Sequence, residues 1–224
     1  MTQMLASVSS LEEATMIAPL GINILDLKNP SRGALGALDV SLVRQIVDRF
    51  PSQTVSATVG DLPMDPALIA EAVQEMTKTG VNYIKIGFFP EADLWLPVLE
   101  RLRPIMAQGH RLIAVLFADQ PIDQALLPAF AAAGFCGIMV DTADKVRGGL
   151  LVHRDAAWLQ GFVRAGRDAG LLTGLAGSLS PSDIPILKSI GPDYLGFRGA
   201  LCTGGRSGQI NPDAVQRVRE TVMA

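Results

Sequence analysis

Hydrophobic and polar positions alternate along the chain in two rhythms. Short apolar runs rich in β-branched residues fill 4–8, 22–27, 54–59, 83–87, 112–117, 136–140, 171–176 and 194–197. Between them, apolar residues recur at helical spacing over 11–18, 40–49, 66–79, 92–107, 123–133, 155–169, 182–190 and 212–222. The pattern therefore predicts eight strand–helix units. Gly80, Gly109, Gly134, Gly170 and Gly191 each close a helical stretch just before a strand, where a left-handed terminal residue is expected. Asp65-Pro66, Ser180-Pro181 and Asn211-Pro212 each set a capping side chain before a proline at the first helical position. Ser10 with Glu13 fits a capping box for the first helix.

Eight units without a composition shift or a linker favour an α/β fold, a closed (β/α)8 barrel forming a single domain over 1–224. Such barrels typically need about 250 residues, close to the 224 present. A doubly wound open sheet is the alternative. It would carry a Gly-x-Gly-x-x-Gly turn after the first strand, and Ser9-Ser10-Leu11-Glu12 is no such turn.

Composition narrows the function classes. With 49% hydrophobic and 18% charged residues the chain can bury a large core and is too apolar for disorder. Its longest uncharged run, 124–140, contains Pro128, Gly134 and Gly137, and reads as helix, turn and strand rather than a membrane span. No secretory leader pattern opens the sequence, so a soluble cytoplasmic protein with no membrane partner is expected. A net charge of −3 without a basic stripe argues against nucleic acid. Cys136 and Cys202 lie in or beside predicted strands, outside any metal or redox spacing, and read as buried free thiols. His110 and His153 are far apart, so no metal and no other cofactor is expected. His153 itself reads as a surface residue near the start of a helix. A homo-oligomer through exposed apolar helix faces is compatible with the sequence, which marks no interface.

The candidate chemistry lies at the C-terminal strand ends, where these barrels keep their active sites. Only five lysines accompany fourteen arginines, and three of the five fall there. The second strand ends Asp26-Leu27-Lys28, the fourth contains Lys85 between Ile84 and Ile86, and the sixth runs into Asp141 with Lys145 just beyond. Pleating sends Ile84 and Ile86 to the helices and Lys85 inward, and it puts Asp26 and Lys28 on one face. Strands of equal parity feed the same barrel layer, so Lys28, Lys85 and Asp141 should converge. An ordinary lysine is only about 0.04% neutral at pH 7. Burial and neighbouring ammonium groups disfavour the charged form and favour a nucleophilic amine. One reactive lysine with two cationic helpers, and aspartates moving protons, would suit Schiff-base chemistry on a small carbonyl compound. The seventh and eighth strands run into Gly177-Ser178 and Arg198-Gly199-Ala200, where such barrels commonly cradle a substrate phosphate. Gly204-Gly205-Arg206 is a further candidate for that cradle.

The same residues resemble a known family. Asp26-Leu27-Lys28-Asn29-Pro30 with Gly33 and 35–37, the run 55–61, the run 83–87 and Asp141-Thr142-Ala143 with Lys145 resemble, in order, signatures of the (5-formylfuran-3-yl)methyl phosphate synthases. The runs 175–178 and 185–187, then 196–200 with Cys202-Thr203, complete the series across nearly the whole chain. The resemblance implies condensation of two glyceraldehyde 3-phosphate molecules, with loss of phosphate and water, to the furan precursor of methanofuran, a one-carbon carrier. It further implies that Lys28 is the Schiff-base lysine and that Lys85, Lys145, Asp26 and Asp141 support it. Spacing alone leaves the choice between Lys28 and Lys85 open. The segment 204–209 is shorter and less basic than the family pattern, so Arg198 is the favoured phosphate ligand over Arg206. A simple lysine aldolase on another sugar phosphate, or a silent sugar-phosphate-binding barrel, are the alternatives.

Overall fold

The computed structural model describes residues 1–90, 94–144 and 146–224. Eight strands close a parallel barrel in chain order: β1 Gln3–Val8, β2 Ile24–Leu27, β3 Thr54–Thr58, β4 Tyr83–Gly87, β5 Leu112–Phe117, β6 Gly137–Asp141, β7 Leu172–Leu175 and β8 Tyr194–Phe197. The ring shuts where β8 pairs with β1, Gln3 beside Tyr194 and Ala6 beside Phe197. Between and after the strands run α1 Leu11–Ile17, α2 Val40–Arg49, α3 Pro66–Thr77, α4 Trp95–Ala107, α5 Leu127–Ala133, α6 Leu150–His153, α7 Ala156–Asp168, α8 Ile184–Ile190 and α9 Pro212–Met223. This is the (β/α)8 barrel expected from the alternation, not a doubly wound open sheet. Among those residues no helix is long and apolar enough to cross a membrane.

Both faces of each strand are covered, which is why the strands read as nearly unbroken apolar runs; all six residues of β5 are buried. Alternation splits them cleanly. Leu5, Ile24, Ile113, Val115, Phe117 and Met139 fill the barrel, while Ala6, Leu25, Leu27, Ile84, Ile86 and Leu116 pack under the helices. Gly174 has a packing reason: a Cβ there would fall 2.3 Å from the Tyr194 ring, which occupies that part of the barrel.

The caps behave as expected at Asp65, whose carboxylate accepts from Ala67 and Leu68, and at Asn211, which accepts from Ala214. Four features differ from the sequence reading. The expected helices at 123–133 and 182–190 each begin with a tight 3-10 turn, Gln124–Leu126 and Pro181–Asp183. The short α6 precedes α7, and His153 at its last turn is half-buried, with Nε2 enclosed and unpartnered among the described residues. It is not the surface residue expected. Finally, β9 Cys202–Thr203 and β10 Gln209–Ile210 form a small antiparallel ribbon after β8, too short for periodicity to announce. Both cysteines are free and half-buried rather than buried, and burial pushes the Cys136 thiol up to about 11, leaving it protonated at neutral pH.

Candidate active site

A cavity of about 400 Å³ opens at the C-terminal strand ends, and Asp26, Lys28, Lys85, Asp141, Gly177 and Arg198 are among its walls. Register explains the convergence. Ser7 on β1 and Ser56 on β3 flank Asp26 on β2, and Thr58 on β3 pairs with Lys85 on β4. The Lys85 Nζ meets Asp26 Oδ1 at 2.6 Å, and the hydroxyls of Ser7 and Ser56 donate to the same carboxylate at 2.8 and 2.7 Å. Burial alone would raise the Asp26 carboxyl, but the ammonium of Lys85, then that of Lys28, outweigh it and hold it below the usual range. At Lys85 burial wins: it pushes the ammonium down despite Asp26, and Lys28 adds to the push.

Lys28 stands one layer higher. Its Nζ lies 3.7 Å from Asp141 Oδ2, too long for a hydrogen bond, and the residue retains 8% of its exposure against 2% for Lys85. Asp141 also accepts the Thr142 N–H at 2.7 Å. Four of the five predicted residues are thus gathered in one place. Lys145, the fifth, lies outside the described residues. Asp119, after β5, accepts the N–H groups of Ala143 and Asp144 at 2.8 and 2.7 Å and so holds the segment that leads to Lys145.

The glycine turns also line the cavity. The Gly177 carbonyl accepts from Leu150 N–H at 2.9 Å, so its trans peptide sends the Ser178 N–H the opposite way, where it meets no acceptor among the described residues. Ser178 is held at φ 49, a left-handed conformation that costs a non-glycine residue about 1–2 kcal/mol. Gly199 and Ala200 open a 3-10 turn on the neighbouring wall.

Arg198 reaches the cavity wall, but its guanidinium is engaged elsewhere. Nη1 and Nη2 grip the Glu13 carboxylate at 2.6 and 3.0 Å, and the remaining donors go to the carbonyls of Ser7, Arg206 and Gly208. The expected direct contact of this guanidinium with a phosphate therefore lacks free donors. Glu13 was legible only as half of a capping box. Its N–H does bond Ser10 Oγ, yet its carboxylate turns to Ser9 N–H at 2.7 Å and to Arg198. Asp61, whose carboxylate holds the N–H groups of Ala34 and Leu35 in the loop after Lys28, carried no sequence signal of that role. Among the described residues no group of three His, Cys, Asp or Glu side chains converges as metal ligands would.

Fold and site together define an α/β-barrel enzyme with a buried lysine–aspartate centre at its strand tips. The chain belongs to the 4-HFC-P synthase family, whose family model matches residues 4–219. A protein of Methylorubrum extorquens is 40% identical over 201 residues, spanning 89% of this chain and 82% of its own. The (5-formylfuran-3-yl)methyl phosphate synthase of Methanothermobacter thermautotrophicus is 34% identical over 229 residues, spanning 97% of each chain. Among solved structures, a 3-hexulose-6-phosphate synthase superposes with a TM-score of 0.67 at 17% identity, over 99% of this chain and 100% of that one; the likeness concerns the fold.

Proposed function

We propose that this enzyme condenses two molecules of glyceraldehyde 3-phosphate into (5-formylfuran-3-yl)methyl phosphate, releasing phosphate and water, through a Schiff base on Lys28. The observation that carries the reading is the stacking of two lysine–aspartate pairs at the cavity floor: Lys85 with Asp26 below, and Lys28 loosely beside Asp141 above. The division of labour follows from exposure. Lys28 is the amine a carbonyl carbon can reach, whereas Lys85 is clasped by Asp26 and shut from solvent. Attack by the neutral Lys28 amine gives a carbinolamine, and loss of water gives the imine. Asp141 stands close enough to take and return the protons that these steps move. Lys85, whose ammonium is weakened by burial, is suited to exchange a proton during enolisation. Asp26, held ionised, steadies the ammonium of Lys85. Lys145 is assigned a supporting role from the family resemblance. The substrate phosphate is assigned to the turns at Gly177-Ser178 and Arg198-Gly199-Ala200, with the backbone rather than the Arg198 side chain making the contact.

Borohydride reduction in the presence of glyceraldehyde 3-phosphate, followed by peptide mass mapping, tests the reading. The expected result is a reduced adduct on Lys28, lost in Lys28→Ala, with phosphate release and a growing conjugated-aldehyde absorbance in the unreduced reaction. An adduct without phosphate release would reassign the chain to a simple aldolase. Wild-type turnover by folded Lys28→Ala would refute the mechanism.

A further inference from the structure

Two arginines, Arg198 and Arg206, line the same cavity, and their guanidinium groups are in opposite states. A guanidinium offers five N–H donors. Those of Arg198 meet five acceptors: two oxygens of Glu13 and the carbonyls of Ser7, Arg206 and Gly208. Its charge is neutralised and its fork is full. Arg206 is half-buried, and only Nη2 is engaged, donating to the carbonyls of Pro30 at 3.0 Å and Gly33 at 2.8 Å. Its Nε and Nη1, carrying three N–H donors, meet no acceptor among the described residues, and no carboxylate of those residues pairs with it. A partly desolvated cation with three idle donors in a cavity walled by glycine turns is poised for an anion.

The position of Arg206 is set by its neighbours. Arg198 Nε holds the Arg206 carbonyl at 2.9 Å, and a Cβ on Gly199 would come within 3.8 Å of the Arg206 nitrogen. The Arg206 backbone is thus fixed beside the Gly199 turn, while its side chain reaches across to the loop that follows Lys28. Arg198 builds the platform and Arg206 stands on it.

We infer that Arg206, not Arg198, is the side chain that binds a phosphate monoester of the substrate, and that it links phosphate occupancy to the placement of the Lys28 loop. The inference rests on the proposed reading of a phosphorylated substrate and adds the residue that selects for the phosphate. Nε and Nη1 face the dianion, while Nη2 keeps hold of Pro30 and Gly33. An occupied site would thereby stiffen the segment 29–36 beside the reactive amine. Lysine offers the charge but not the planar fork, so it can serve the anion or the loop carbonyls and not both.

Inorganic phosphate titrated calorimetrically into the full chain is the direct probe. Arg206→Gln should weaken its binding about 10- to 100-fold, the range for loss of charge-assisted hydrogen bonds. Arg206→Lys should recover part of that loss, with thermal unfolding confirming that each variant is folded. Hydrogen exchange over 29–36 should slow on adding phosphate to wild type and not to Arg206→Gln. Wild-type phosphate affinity in folded Arg206→Gln would overturn the assignment, and exchange in wild type unaffected by phosphate would overturn the link to the loop. The two readings fail separately. A wild-type chain that makes no furan aldehyde, yet binds phosphate through Arg206, defeats the proposed reaction alone. Furan synthesis with an equal KM in wild type and Arg206→Gln defeats this inference alone.

Discussion

Lys85 Nζ lies 2.6 Å from Asp26 Oδ1 inside the barrel, with both side chains almost wholly shut from water. Removing one partner of such a pair costs more than the pair contributes, because the other charge is left in a poor solvent. Lys85→Met should therefore destabilise the fold by about 3–5 kcal/mol, measured as a lower midpoint in urea unfolding. Adding Asp26→Asn should restore part of the loss, since Ser7 and Ser56 can still hydrogen-bond a neutral amide. If the double variant is no more stable than Lys85→Met, the two charges are not energetically coupled.

Gly174 makes a second, purely steric test. Its missing Cβ leaves room for the ring and hydroxyl of Tyr194, which an added methyl would approach to 2.3 and 2.7 Å. The ring is rigid and lies inside the barrel, so Gly174→Ala should cost about 1–3 kcal/mol through overpacking. Combining it with Tyr194→Leu should return part of that stability, read by thermal unfolding. A wild-type melting temperature for Gly174→Ala alone would mean that the ring does not fill this space.

Much of the barrel was legible because periodicity and punctuation agreed. Alternation in β4 put Lys85 inside between Ile84 and Ile86, and Gly134 and Gly191 closed α5 and α8 in left-handed conformations as their positions implied. The four described lysine and aspartate residues were recoverable for the same reason: strand parity is a local property that a sequence displays. What escaped notice depends on long-range partners. Glu13 looked like a cap because its ion-pair partner lies 185 positions away. The ranking of Arg198 above Arg206 as a phosphate ligand missed the same contact, since an arginine's free donors cannot be counted until its acceptors are known. Asp61 meets its loop partners 26 and 27 positions back in the chain, a pairing that its place at the end of the signature 55–61 does not disclose.

The Glu13–Arg198 pair gives stability a defined dependence on pH. Burial would raise the Glu13 carboxyl, but Arg198 and Ser9 outweigh it and the group ends below its ordinary value. In the unfolded chain a glutamate binds its proton near pH 4.3, so between that point and the folded value the unfolded state holds more protons. The contribution is complete above about pH 4.3 and is lost as pH falls through the folded value. Glu13→Gln should be less stable than wild type at pH 7 by about 3 kcal/mol, because Arg198 loses its counter-charge. The gap should narrow as the pH is taken below about 4. Urea unfolding of both proteins at a series of pH values checks this, and a gap that stays constant into acid would contradict it.

Asp61 controls the loop that follows the reactive lysine. Its two carboxylate oxygens accept from Ala34 at 2.7 Å and Leu35 at 2.8 Å, and Leu35 is fully buried, plugging the barrel close to Gly87. An asparagine keeps the shape but offers one oxygen and presents an NH2 group to the second N–H, so one bond becomes a donor facing a donor. Asp61 is itself exposed and bonds the backbone of a loop, so Asp61→Asn should cost global stability no more than about 1 kcal/mol. Local order should suffer far more. Amide exchange over 29–36 should accelerate while the strands keep wild-type protection, and borohydride trapping at Lys28 should slow by about tenfold, the equivalent of some 1.4 kcal/mol in positioning. Asp61→Glu keeps the charge but moves it by a methylene, and should recover only part of the rate. Unchanged exchange over 29–36 in Asp61→Asn would show that the loop is held by Arg206 and the buried Leu35 without help from this carboxylate.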